Sequence, residues 1–161
     1  MEQVNPGLEK ATFGAGCFWG VEETFRRLAG VKSTAVGYMG GAMDRPTYHD
    51  ICTDRTGHAE VVEVTFDPQV ISYPDLLEVF WNNHNPTTLN RQGPDAGSQY
   101  RSAIFVHSEA QAAEARASLE AAQARFPRPI VTEITPAAAF WRAEEYHQQY
   151  LEKRGLSHCH T

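Results

Sequence analysis

Three absences bound this chain of 161 residues before any motif is read. It has little cysteine: three residues, an odd count, so a closed framework of intramolecular disulfides is impossible, and no CxxC pair is present. It has no excess of basic charge. The formal net charge of −6 argues against nucleic acid and anionic membrane as partners, since both demand a basic surface. It has no apolar run long enough to cross a bilayer, and MEQVNPGLEK lacks the basic-then-apolar pattern of a signal peptide. Repeats and low-complexity linkers are missing too. The expectation is a soluble, cytoplasmic, monomeric protein forming one domain over residues 1–161. A chain of that length buries roughly 70% of its unfolded surface and needs no disulfide staples.

What is present alternates between strand and helix signals. ATFGA (residues 11–15) reads as a short strand. Phe18, Val21, Phe25 and Leu28 then recur at helical spacing, with Glu22, Glu23, Arg26 and Arg27 largely off that face and Gly30 as a stop. Residues 31–38 and 60–66 read as strands. Ser72 with Asp75 resembles a capping box opening a helix through Trp81. Residues 101–106 form another strand, Ser108 with Gln111 opens an Ala-rich helix to about Phe126, and 131–135 is an edge strand. Residues 140–153 read as a final helix capped by Gly155. The order β-α-β-β-α-β matches a split ferredoxin-like arrangement with a further helix and strand appended, so the fold class is α+β: an α/β sandwich over a mainly antiparallel sheet.

Two connections, 37–58 and 85–100, are long for a small domain, and such segments are either solvated or functional. The first holds Tyr48, His49 and Cys52; the second holds Asp95 and Tyr100. The stretch GAGCFWG (residues 14–20) places Cys17 at the turn from strand to helix, where unpaired backbone N–H groups and the helix dipole favour a thiolate. Free cysteine is equally a common core residue. Phe18 begins the apolar helix face, whereas Trp19 lies off it, where it could wall a pocket for a small apolar group. Glu60 shares strand parity with Val62, Val64 and Phe66. At the rim of that face it would be desolvated and able to donate a proton near neutral pH. Alternation alone favours a residue at the frayed start of the strand, pointing to water.

GCFWG (16–20), HAEVVEV (58–64), NPTTLNRQGPDAGSQYRSAI (85–104) and AEEYHQQYL (143–151), in that order along nearly the whole chain, resemble the peptide methionine sulfoxide reductase A family. The resemblance implies the same sandwich fold, no metal or organic cofactor, and reduction of the S epimer of methionine sulfoxide, in proteins and free, with thioredoxin as reductant. Residue by residue it implies Cys17 as nucleophile, Phe18 and Trp19 around the substrate's S-methyl group, Glu60 as proton donor, Tyr48 and Tyr100 on the sulfoxide oxygen, and Asp95 as support. A sulfoxide sulfur is attacked only when its oxygen is made a better leaving group, which needs an acid and donors gathered on one atom. The family often places its recycling cysteine near the C-terminus. That points to Cys159, in a tail (156–161) expected to be mobile, and away from Cys52. A second C-terminal cysteine, frequent in the family, is missing here, so thioredoxin would attack the Cys17–Cys159 bond directly. Three other classes remain open on residues alone: a cysteine hydrolase or acyltransferase using Cys17 with His49, His58 or His147; a zinc module using His158, Cys159, His160 and Cys52; and a non-catalytic redox sensor.

Overall fold

The computed structural model describes residues 7–53 and 55–153. In chain order its elements are β1 (Glu9–Ala15), α1 (Phe18–Arg26), β2 (Val31–Met39), α2 (Tyr48–Cys52), β3 (Ala59–Phe66), α3 (Tyr73–Asn82), the short pair β4 (Arg91–Gln92) and β5 (Asp95–Ala96), a 3₁₀ turn (Ser98–Tyr100), β6 (Ser102–Val106), α4 (Glu109–Gln123), β7 (Glu133–Pro136), β8 (Trp141–Arg142), a second 3₁₀ turn (Glu145–His147) and α5 (Tyr150–Lys153).

Among the described residues six strands form one sheet in the order β7-β6-β1-β3-β2-β8, antiparallel except for the β6–β7 edge pair. The inner four, β6-β1-β3-β2, carry the ferredoxin-like order that the sequence pattern predicts. α1 and α3 cross from one strand to the next and lie on one face. Phe13, Val62, Val64 and Phe66 meet Phe18 and Phe25 of α1 and Leu76, Leu77, Phe80 and Trp81 of α3 there. Met39, Ala59, Val61, Ala103 and Phe105 form a smaller cluster, against which Ala137 and Phe140 pack. β3 therefore carries apolar side chains of both parities.

The local signals for helix starts hold. At Ser72 both halves of the capping box with Asp75 are made, and Ser108 accepts from the Gln111 N–H. Between β2 and β3 lies an element the sequence reading missed. Thr47 and Asp50 form a second capping box, which opens the five-residue α2 inside a segment read as a loop. The 85–100 connection likewise folds into the β4–β5 hairpin and a 3₁₀ turn.

The single helix expected over 140–153 does not form. Trp141 and Arg142 add a strand to the exposed edge of β2, opposite Tyr38 and Gly37. Gly37 permits this approach, because a Cβ there would stand 2.5 Å from the Trp141 carbonyl oxygen. Gln148 then acts as a backbone surrogate: its Oε1 accepts the Val36 N–H at 2.8 Å and its Nε2 donates to the Val36 oxygen at 2.9 Å. Long-range pairing thus overrides local helix propensity. Gly155, the expected cap, lies outside the described residues.

Glu22 and Glu23, expected off the buried face, are both buried. Glu22 receives the Thr34 hydroxyl at 2.7 Å and both N–H groups of Gln149, backbone at 2.8 Å and side chain at 2.6 Å. Burial raises the Glu23 pKa, but Arg27 and Arg26 outweigh it and leave the carboxyl below its usual value.

His84 closes α3 and yields a pH prediction. Its Nδ1–H donates to the Phe80 oxygen at 2.7 Å, and its Nε2 receives the Ser102 hydroxyl at 2.7 Å, which is itself 2.7 Å from the Thr132 hydroxyl. Desolvation pushes its pKa down to about 4, only partly opposed by the Phe80 bond. The unfolded chain therefore binds the extra proton between pH 6.5 and 4, and stability is lost as pH falls through that window. At pH 4.5 the loss should reach about 2–3 kcal/mol. Urea unfolding of wild type and His84→Gln at pH 7 and 4.5 should show that share of the pH dependence vanish in the variant.

Candidate active site

Cys17 occupies the junction that the sequence reading assigned to it. β1 ends at Ala15, Gly16 takes φ +99°, and Cys17 is the N-cap of α1, its carbonyl accepting from Val21 at 3.4 Å. Glycine is required at position 16 on two counts. A side chain strains at that φ, and a Cβ would meet the Gln92 Cγ at 2.8 Å. Gln92 in turn grips both the N–H and the oxygen of Asn85, each at 2.8 Å, so the β4–β5 hairpin is tied down over the cysteine turn. The half-buried thiol sits where α1 presents its unpaired N–H groups.

Glu60 overturns the expectation from alternation. It is not a frayed, solvated residue: only 2% of it is exposed. β3 begins at Ala59, one residue earlier than expected, and Glu60 lies opposite Tyr38 of β2. Parity was right and the rim reading was the correct branch. The Glu60 Oε1 accepts the Phe18 N–H at 3.2 Å, which sets the carboxyl beside the residue following Cys17.

Tyr48, the first residue of α2, and Tyr100, the last of the 3₁₀ turn, come to the same place from the two long connections. Burial raises both phenol pKa values well above the usual range, and the Glu60 carboxyl is the next cause for each. Tyr100 also feels Asp95, Cys17 and Cys52. Both hydroxyls therefore stay protonated and serve as donors. Cys52, exposed on α2, lies near enough to the Tyr48 phenol to add to the rise in its pKa.

The aromatic wall is continuous. The buried Phe18 ring lies 6.5 Å from Tyr48 and 5.3 Å from His147. Half-buried Trp19 stacks on Tyr150 at 3.8 Å and 9°, and its Nε1–H donates to the His147 Nδ1 at 2.9 Å. Phe18 belongs to the core and also borders the ring cluster beside Cys17.

Four residues around the site were not singled out for it in the sequence: Tyr38, Glu144, Tyr150 and, except as a base for another chemistry, His147. Glu144 accepts the Tyr38 hydroxyl at 3.2 Å and the Tyr48 N–H at 3.0 Å. Burial raises its pKa, but these bonds and the nearby His147 outweigh that and hold it low. AEEYHQQYL contained the signal, yet reading it as one helix hid which side chains turn inward. Among the other histidines, His58 uses both ring nitrogens to brace the 40–47 loop, accepting from Gly41 at 2.9 Å and donating to the Met43 oxygen at 2.6 Å. His49 is exposed.

Among the described residues no group of three His, Cys, Asp or Glu side chains is placed to hold a metal ion, and no helix is long and apolar enough to cross a membrane. His158, Cys159 and His160 lie outside the described residues. What converges at the site is a thiol, a buried carboxyl, two phenolic donors and an aromatic wall. That set can seat a small apolar group, gather donors on one oxygen, and present a soft nucleophile to the atom between them.

Known proteins resemble the chain over nearly its whole length. The family model for peptide methionine sulfoxide reductase matches residues 9–161. The chain is 65% identical over 156 residues to a peptide methionine sulfoxide reductase MsrA of Methanoculleus marisnigri, covering 96% of this chain and 95% of that protein. Among solved structures, reduced Mxr1 from Saccharomyces cerevisiae superposes with a TM-score of 0.92 at 36% identity, over 98% of this chain and 92% of that one. Mxr1 in complex with Trx2 matches with a TM-score of 0.67 at 27% identity, over 92% of this chain and 89% of that one.

Proposed function

The chain belongs to the peptide methionine sulfoxide reductase A family, and on that footing we propose how its own residues divide the work of reducing the S epimer of methionine sulfoxide to methionine. The S-methyl group packs against Phe18 and Trp19. The sulfoxide oxygen receives the Tyr48 and Tyr100 hydroxyls and the proton of Glu60, with Asp95 supporting Tyr100. The Cys17 sulfur attacks the sulfoxide sulfur as Glu60 protonates the departing oxygen. With the thiol's own proton added the oxygen leaves as water, and a water molecule then attacks the Cys17 sulfur of the resulting sulfonium, displacing methionine, returning a proton to Glu60 and leaving Cys17 as a sulfenic acid. The observation that carries this reading is the 3.2 Å bond from the Phe18 N–H to Glu60, because it brings the acid from β3 to the residue next to the Cys17 thiol.

The second half of the cycle is assigned to Cys159. Its thiol condenses with the sulfenic acid, releasing water and forming a disulfide, which the dithiol of a thioredoxin then reduces. Support comes from the yeast relative solved with Trx2 and from the position of Cys159 in the sequence, six residues past Lys153 and outside the described residues. We take the enzyme to act as one domain over residues 1–161, a cytoplasmic monomer with oxidised proteins and thioredoxin as partners. Cys52 is the competitor, since it lies at the site beside Tyr48. Peptide mapping after one turnover without reductant should find Cys17 joined to Cys159. Cys159→Ser should release one methionine per enzyme and then stall with thioredoxin. A Cys17–Cys52 link as main product, or full thioredoxin-driven turnover in Cys159→Ser, would reassign the step to Cys52.

A further inference from the structure

Trp19, as a wall of the proposed methyl pocket, must be held at one angle. Stacking on Tyr150 at 3.8 Å fixes the distance of the indole face, yet two parallel rings can slide and turn in their common plane. An edge-on hydrogen bond removes that freedom. Trp19 Nε1–H makes one, 2.9 Å to the Nδ1 of His147. An indole nitrogen only donates, so the His147 Nδ1 is the unprotonated acceptor and the ring proton sits on Nε2.

That Nε2 is informative in its own right. His147 is 1% exposed, and its Nε2 has no hydrogen-bond partner among the described residues. A buried donor left unmade is costly, and in a native structure it calls for an explanation other than stability. A phenylalanine would fill the same space among the rings without that cost. The neighbours supply the explanation. The His147 ring lies 4.4 Å from Tyr48, 5.3 Å from Phe18 and 5.6 Å from Trp19, so it touches three of the groups assigned to substrate. Burial lowers its pKa, with the charge of Glu144 opposing, which keeps the acceptor available at neutral pH.

We propose that His147 is the positioning residue of the methyl pocket: its Nδ1 holds the Trp19 indole N–H and so fixes the plane against which the substrate's S-methyl group packs. The proposal rests on the reading of Trp19 as that pocket's wall and adds a residue that acts through it. His147 itself transfers no proton to substrate in this scheme. Its effect therefore falls on binding more than on the chemical step.

The test measures substrate affinity and the saturating first-turnover rate separately, by rapid mixing with a peptide carrying the S-epimer sulfoxide. Losing one neutral hydrogen bond should weaken binding in His147→Phe by about three- to tenfold, with the saturating rate changed much less. His147→Gln, whose amide oxygen can accept the indole N–H, should recover part of the loss. Trp19→Phe has no N–H to hold. It should weaken binding itself, and adding His147→Phe to it should cost little more. Unchanged affinity in a folded His147→Phe, equal losses in the Phe and Gln variants, or a full further loss in the double variant would overturn the proposal while leaving the pocket reading in place. Unchanged affinity in Trp19→Phe would overturn the pocket reading and the proposal together. If His147→Phe does not fold, the comparison of His147→Gln with and without Trp19→Phe decides in the same way.

Discussion

Cys17→Ser should fold as the wild type does and reduce no detectable methionine sulfoxide. The fold is expected to survive because Cys17 is the N-cap of α1, a position that serine favours, so stability should hold or rise by up to about 1 kcal/mol. Activity should vanish because a soft thiolate attacks sulfur and a hydroxyl does not. A thiol is intrinsically far more acidic than an alcohol, and a helix start favours an anionic sulfur over a neutral hydroxyl as nucleophile. The assay uses a peptide-bound S-epimer sulfoxide with dithiothreitol, which replaces the recycling step and isolates the nucleophile. Substantial turnover by a well-folded Cys17→Ser would remove the central claim, whatever became of Cys159.

How far these assignments were legible follows from how local their causes are. The Ser72–Asp75 capping box involves residues three apart and was readable at once. The turn that holds Cys17 depends on Gly16 and on a strand running into a helix, both visible in GAGCFWG. Alternation gave the parity of Glu60 correctly and its burial wrongly. Burial depends on β2 supplying Tyr38 opposite it, a matter of register between strands that no single strand encodes. The C-terminal segment failed for the same reason at longer range. Gln148 bonds Val36 across 112 residues, and His147 bonds Trp19 across 128. Periodicity within 140–153 cannot report partners at that separation. The family resemblance named the site residues that these distances hid from pattern reasoning, but it left out why Trp19, Tyr48 and the turn at 145–147 come to share one ring cluster.

Glu60→Gln should slow the first turnover by on the order of 10²–10⁴-fold, the usual share of one general acid, while leaving substrate affinity nearly intact. The substitution is close to isosteric at a site with almost no room to adjust. The amide oxygen can still accept the Phe18 N–H that Glu60 now accepts at 3.2 Å, so the turn after Cys17 keeps its anchor. What disappears is the carboxyl proton. Tyr48 and Tyr100 remain as donors: burial is the leading cause of their raised pKa values and the Glu60 charge only the second, so both phenols stay protonated in the variant. They can hold the sulfoxide oxygen, but a phenol that resists ionisation gives up its proton poorly. The departing oxygen would then leave with its charge only partly neutralised, and the penalty falls on the chemical step rather than on binding. Rapid-quench measurement of methionine release at saturating substrate, beside an independent binding isotherm, separates the two. A first-turnover rate close to wild type across neutral pH would make Glu60 a buried strut for the Phe18 N–H and move the proton to one of the tyrosines. A loss confined to affinity would make it a binding group instead.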